Sequence, residues 1–289
     1  MPDLESLKIP KPKNAKDGDE YFDTVSVVSK GQNLINEPPA ELVELPSHGY
    51  LYKEATSDPE ILQKGGLRIR PMTIHEEKIL STPRLVKSGQ ALDMIFRNVI
   101  KSQIDPANLL SSDRVFIMLW LRNISYGNIY KFQIQCQNPN CQRKFEWEVD
   151  LNNHPIKEFD NPEISEPFEL LLPVSKHKIL FRLPRGTDEI EIIKMQNQPK
   201  KMNDTDDSIV RRLSSAVLKV IRPDGSELPP NQKEMFIESL IARDASIFRN
   251  KLEELDCGIE DIKGIACPYC ENTFDSVIPI TESFFRTTD

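Results

Sequence analysis

Glycine is scarce in this sequence, with 11 in 289 residues. Loops that cradle phosphate are built on glycine, and no Gly-x-Gly-x-x-Gly, Walker loop or Gly-x-Ser-x-Gly elbow occurs. Histidine is scarcer still: His48, His75, His154 and His177 are scattered. His75-Glu76-Glu77-Lys78 lacks the second histidine of a zinc-binding His-Glu-x-x-His helix, so each histidine reads as a surface or cap residue. Long apolar runs are missing. The longest, Val115 to Leu121, has 7 residues, where a membrane span needs roughly 20. A basic excess is missing too. Lys and Arg number 37 against 45 Asp and Glu, a formal net charge of -8, which argues against docking on nucleic acid or anionic lipid. Met1-Pro2-Asp3-Leu4-Glu5 has neither a basic start nor an apolar core, so no secretory signal is expected. The chain is expected to work in a reducing cytoplasm, where its five cysteines read as metal ligands or buried thiols. Its carboxylates read as solvated faces. No catalytic residue, small-molecule substrate, membrane or nucleic-acid partner is expected.

What is present reads as an α+β chain. Residues 1–38 are polar and Lys-, Asp- and Pro-rich. They are expected to form a flexible tail, with Tyr21, Phe22, Val25, Val27, Val28, Leu34 and Ile35 as candidate partner contacts. A β and helical domain is expected over 39–128. Leu42–Pro46 is extended, Pro46–Gly49 turns, Tyr50–Tyr52 resumes as a strand, and Leu67–Met72 alternates. Thr73 opens a helix that Pro83 interrupts. Ser88-Gly89 opens a second, with Leu92, Ile95, Phe96, Val99 and Ile100 at helical spacing, closed at Asp105-Pro106. Ser111-Ser112-Asp113 caps a third, apolar on most sides and therefore central, ending at Gly127. Arg114 and Arg122 on it need carboxylate partners if buried. The second domain, 129–289, opens with a hairpin. Tyr130, Phe132 and Ile134 alternate with polar residues, as do Phe145, Trp147 and Val149. A further hairpin is expected at 168–183, and helices follow at 187, at 209–217, over 231–243 and over 244–254, with a loop at 197–207.

Cysteine spacing is the strongest chemical signal. Structural zinc takes four ligands, and thiolates come in pairs on tight turns. Cys136-Gln137-Asn138-Pro139-Asn140-Cys141 and Cys267-Pro268-Tyr269-Cys270 are two such pairs, each beside extended apolar segments. Two knuckles sharing one Zn2+ would make a zinc ribbon, and four thiolates leave no open position for a catalytic water. The first loop has 4 intervening residues, where ribbons more often have two. A segment of 125 residues separates Cys141 from Cys267, so hairpin and helices (about 155–260) would be an insertion, and the metal a clip across a long loop. Four idle thiols, or a redox Cys-x-x-Cys, are the competing readings. Cys257 has no partner at ligand spacing and reads as a core thiol.

Leu45-Pro46-Ser47-x-Gly49-x-Leu51-Tyr52, Arg68-x-Arg70-Pro71-Met72-Thr73 and Glu76-Glu77-x-Ile79-Leu80 form an ordered series of motifs. Leu110-x-x-x-Arg114 and Leu121-Arg122-x-x-Ser125-Tyr126-Gly127 continue it into the first cysteine pair. The series resembles the baseplate hub proteins of T4-type contractile-tailed bacteriophages, most strongly over 40–150. The resemblance implies a non-enzymatic structural subunit or assembly chaperone of the tail hub. Its partners would be other hub or tail proteins, in the host cytoplasm during assembly and in the virion baseplate if retained. A nucleic-acid-binding zinc ribbon is the alternative, and would need a basic face around the knuckles.

Overall fold

The computed structural model describes residues 37–196, 208–280 and 282–285. The apolar residues of the expected tail and the expected loop at 197–207 lie outside them. Helices and strands are mixed, as the pattern implied. β1 (Glu41–Glu44) precedes a short helix, α1 (Pro59–Lys64), which the sequence reading missed. Asp58 caps α1 by accepting the Glu60 N–H, and Pro59 fills its first turn. The chain then returns as β2 (Gly66–Ile69), antiparallel to β1 from Glu41 opposite Ile69 to Glu44 opposite Gly66. The expected strand at Tyr50–Tyr52 is not formed. The Tyr50 N–H donates to the Ser47 carbonyl and the Tyr52 N–H to the Gly49 carbonyl, each at 3.1 Å, so the turn continues. It can continue because the Tyr52 ring is swallowed whole by the core.

Thr73 and Glu76 form the capping box that opens α2 (Ile74–Leu80). Pro83 does more than interrupt: it sits in the first turn of α3 (Pro83–Lys87). α4 (Gln90–Val99) starts after Gly89 and buries Ile95, Phe96 and Val99. Asp105 caps a separate single turn at Pro106–Asn108 instead of closing α4. The central helix is α5 (Ser111–Tyr126), with Ile117 and Leu121 fully buried. Its cap position is Leu110, whose side chain has no acceptor, and Asp113, expected at the cap, turns inward.

β3 (Ile129–Gln135) and β4 (Lys144–Asp150) pair in register from Ile129 opposite Asp150 to Gln135 opposite Lys144, burying Tyr130, Phe132 and Phe145. β5 (Ile156–Lys157) follows, then β6 (Phe168–Leu171) and β7 (Lys178–Phe181), the second expected hairpin. α6 (Gly186–Gln196) and α7 (Ser208–Ala216) come next. Val217 was expected on the helix. It instead opens β8 (Val217–Ile221), a β-branched run that adds a third strand in the order β6-β7-β8. The last helices are α8 (Lys233–Glu238) and α9 (Ala242–Leu255). The break between them falls at Ser239–Ile241, earlier than expected, because Asp244 belongs to the first turn of α9. There its carboxylate accepts the N–H groups of Val174 and Ser175 at 3.0 and 2.9 Å. β9 (Gly258–Ile259) pairs with β5, and β10 (Ile262–Ala266) pairs with β11 (Thr273–Ser276).

Two apolar clusters result among the described residues. The larger runs from Val43 to Phe285, is centred on α5, and includes Cys136 and Cys267. The smaller lies between the three-stranded sheet and α7–α9, around Phe181, Val217 and Phe248. Phe168, Leu252 and Leu255 touch both.

Candidate metal centre

The β3–β4 and β10–β11 hairpins bring their turns together. The sulfurs of Cys136, Cys141, Cys267 and Cys270 all lie within 4.8 Å of one another. Across the join, Cys136 to Cys270 is 3.6 Å and Cys141 to Cys267 is 3.9 Å. A disulfide needs about 2.05 Å, so these are free thiols. Thiolates at about 2.3 Å from a tetrahedral ion stand about 3.8 Å apart. The four cysteines are thus close enough to hold one metal ion, with a spacing compatible with zinc. Cys257 stays outside the group. It is buried with its sulfur 3.6 Å from the Ser112 hydroxyl.

The two turns share a plan despite their unequal lengths. In each, the first cysteine's N–H donates to the carbonyl two residues beyond the second cysteine: Cys136 to Arg143 at 2.9 Å, Cys267 to Asn272 at 3.0 Å. In each, the residue after the second cysteine is left-handed, Gln142 at φ 48° and Glu271 at φ 57°. The 2 extra residues of the first loop are absorbed around Asn138, whose carbonyl accepts the N–H of both Cys141 and Gln142. The hairpins also touch without the sulfurs. Phe145 meets Phe274 edge-on at 6.4 Å, Arg143 lies 5.0 Å over Tyr269, and Gln137 donates to the Asp275 carbonyl at 3.0 Å.

The thiols share protons unevenly. Burial pushes Cys136 up to about 12. Burial acts the same way on Cys267, but the N–H groups of Tyr269 and Cys270 and the neighbouring thiols outweigh it and hold it at about 7. Four adjacent thiolates repel one another unless a cation sits among them.

Other residues singled out in the sequence make buried contacts on α5 and elsewhere in the larger cluster. Asp113 is fully buried and accepts from the Ser47 N–H at 3.2 Å, the Ser47 hydroxyl at 2.5 Å and the Tyr52 hydroxyl at 2.5 Å. Tyr52 also accepts the Leu110 N–H at 2.8 Å. Among the described residues no cation accompanies these bonds, and burial lifts the Asp113 carboxyl to about 6. Gly49 between them is left-handed at φ 67°, and a Cβ there would stand 2.5 Å from the Ile61 carbonyl. Arg70 meets Glu76 side by side at 3.1 and 3.0 Å inside the protein. Burial raises Glu76, but Arg70 and Thr73 overcome it and take it down to about 2. Arg114 finds the expected carboxylate in Glu189 at 3.0 Å and lies 4.8 Å from the centre of the Phe96 ring. Arg122 does not. It donates to the carbonyls of Gly127 and Ile129 at 2.9 and 3.2 Å, between Tyr126 and Tyr130. Backbone carbonyls just past the helix and aromatic faces here take the place of a counterion. Among the histidines, His154 departs from the surface reading. It is buried, with Nε2 2.6 Å from the Glu260 carbonyl.

The family model of the T4 bacteriophage base plate protein matches residues 54–286. No curated protein and no solved structure matches the chain. Among the described residues, no helix is long and apolar enough to cross a membrane.

Proposed function

Because the chain belongs to the T4 bacteriophage base plate protein family, we propose that it is a non-enzymatic protein of the tail hub. In this reading it is a structural subunit or assembly chaperone whose shape is fixed by one zinc ion on Cys136, Cys141, Cys267 and Cys270. The convergence of two sequence-distant cysteine pairs within 4.8 Å supports it most directly. The ribbon is 129–289 with an insertion at about 155–260, and 39–128 is the body against which it folds. Partners are other hub or tail proteins, in the host cytoplasm during assembly. The motif residues support a scaffold role, since Ser47, Tyr52, Arg70, Glu76 and Arg114 are engaged in buried ion pairs and hydrogen bonds. Of the cations on the two hairpins, Lys131 pairs with Glu148 at 3.6 Å and Lys263 with Asp275 at 3.2 Å, while Arg143 lies over Tyr269. Glu146, Glu148, Glu271 and Asp275 are interspersed with these cations, so the strongly basic face that the nucleic-acid reading needs gains no support.

Two measurements test this. Metal analysis of the purified protein is expected to give one zinc per chain, lost in Cys267→Ser together with the folding of the knuckle hairpins. A stable, metal-free wild-type protein would refute the zinc. Mass spectrometry of virions beside infected-cell lysate decides the role. Presence in virions at a fixed ratio means a subunit, and presence in lysate alone means a chaperone. Absence of any tail-assembly defect on deleting the protein would overturn both.

A further inference from the structure

Asn138 stands between the two knuckles. Its backbone N–H points at the Cys136 sulfur at 3.4 Å, on its own turn. Its side-chain Nδ2 points at the Cys270 sulfur at 3.8 Å, on the opposite turn. Nitrogen and oxygen of an amide are told apart by their partners. Here Oδ1 accepts the Asn140 N–H at 3.0 Å, which turns the NH2 group toward Cys270. Asn138 is half-buried. The longer first loop gives it this reach. Tyr269 holds the equivalent place in Cys267-Pro268-Tyr269-Cys270, and its ring lies under Arg143.

Four thiolates around a divalent cation carry two excess negative charges. Each N–H donated to sulfur disperses some of that charge and fixes the direction of a lone pair, and such outer contacts strongly influence metal retention. We infer that Asn138 is a positioning residue of the metal centre. In this role it bridges the two cysteine pairs through N–H donors to Cys136 and Cys270 and holds the cation by stabilising thiolates from both halves. This rests on the zinc reading above and adds to it a residue that ligates nothing.

Asn138→Asp isolates the role. Aspartate keeps the oxygen that accepts the Asn140 N–H, so the turn survives, but it replaces the donor facing Cys270 with an anionic oxygen. Asn138→Ser also keeps a turn acceptor but is too short to reach across, and it decides the question if the aspartate variant does not fold. In the full-length protein, zinc transfer to a chromogenic chelator is expected to run about tenfold faster in both variants than in wild type. The sulfur-to-cobalt charge-transfer band of the Co2+-substituted protein should shift, while far-UV circular dichroism of the zinc-loaded protein stays unchanged. Gln137→Ala, which removes the tie to Asp275 but touches no sulfur, should leave the band in place. Release within about twofold of wild type in the folded variants, with an unmoved band, overturns the role of Asn138 and leaves the zinc standing. A wild-type protein that takes up neither zinc nor cobalt overturns the zinc reading itself.

Discussion

The two apolar clusters are built differently. The larger one gathers two-stranded pieces: β1–β2, β3–β4, β5–β9 and β10–β11. A two-stranded hairpin is marginal in water and needs something to fold against. Here that support is α5 together with a set of directed contacts: the buried Arg70–Glu76 pair, Asp113 with its hydroxyls, Arg114 with Glu189, and the four sulfurs. The smaller cluster has a three-stranded sheet covered by helices, and its core is apolar. Phe181 and Phe248 meet edge-on at 5.2 Å, and Asp244 on the Val174 and Ser175 N–H groups and the Arg182–Asp188 pair add directed contacts beside it. One region joins two-stranded pieces that need pins at particular points, and the other leans more on the area its sheet and helices cover.

The first way to break this contrast is to remove the proposed metal. Chelation, or Cys267→Ser, is expected to produce the largest effect. Hydrogen exchange read by mass spectrometry should show protection collapsing in β3, β4, β10 and β11 before β6–β8. Simultaneous loss in both regions would mean that the clusters form one cooperative unit and that the contrast is only geometric.

Next come single contacts of each type. Arg70→Ala leaves Glu76 ionised and enclosed, at about 3–5 kcal/mol. Phe248→Ala in the smaller cluster should weaken the protein by about 3–5 kcal/mol through the cavity it leaves. Their pH dependence separates them. Glu76 is held at about 2, below its ordinary 4.5, so its contribution is present above pH 4.5 and fades as pH falls toward 2. Acid titration of chemical denaturation should therefore close the gap between wild type and Arg70→Ala, and leave the Phe248→Ala gap unchanged.

Asp113 runs the other way. Its carboxyl titrates at about 6 in the fold against 3.8 when free, so the folded state holds a proton more tightly. Stability rises as pH falls through 6 and levels off below 3.8. The facing titratable groups are Tyr52, Asp256 and Cys257, none of which supplies a positive charge. Going from pH 7 to 5, wild type should gain on the order of 1 kcal/mol that Asp113→Asn does not. Equal pH profiles for the two would show that Asp113 is already protonated, or is reached by water, at neutral pH.

Much of the larger cluster was legible in the sequence because its signals are local. The β3–β4 alternation, the Thr73 cap, the α5 apolar run and the cysteine turns each lie within a few residues. What was not legible is what joins them. Nothing near Asp113 announces Ser47 and Tyr52, which lie 66 and 61 residues away, and that link is why Tyr50–Tyr52 is a turn and not a strand. Likewise Val217 has the right spacing for a helix, but β7 offers Phe181 as a pairing partner, and the sheet wins. Arg122 was expected to need a carboxylate; backbone carbonyls and rings supply the environment instead, and composition cannot show that. In the candidate site, the four cysteines proposed as ligands follow from residue type and spacing. Asn138 reads locally only as a turn former, because its second contact depends on how two distant hairpins dock.

The smallest expected effect probes that docking most finely. Gln142 and Glu271 occupy equivalent left-handed positions, where a side chain is strained and glycine is not. If both turns are held in this shape by a shared ion, Gln142→Gly and Glu271→Gly should each stabilise the zinc-loaded protein by roughly 0.5–1 kcal/mol. The gain should shrink in the chelated protein, where the turns are free to relax and the strain has no reason to persist. Equal gains with and without metal would mean that hairpin packing alone, through Phe145, Phe274 and the Arg143–Tyr269 contact, imposes the turn. In that case the directed contacts of the larger cluster matter less than its area, and it resembles the smaller one more closely than its chemistry suggests.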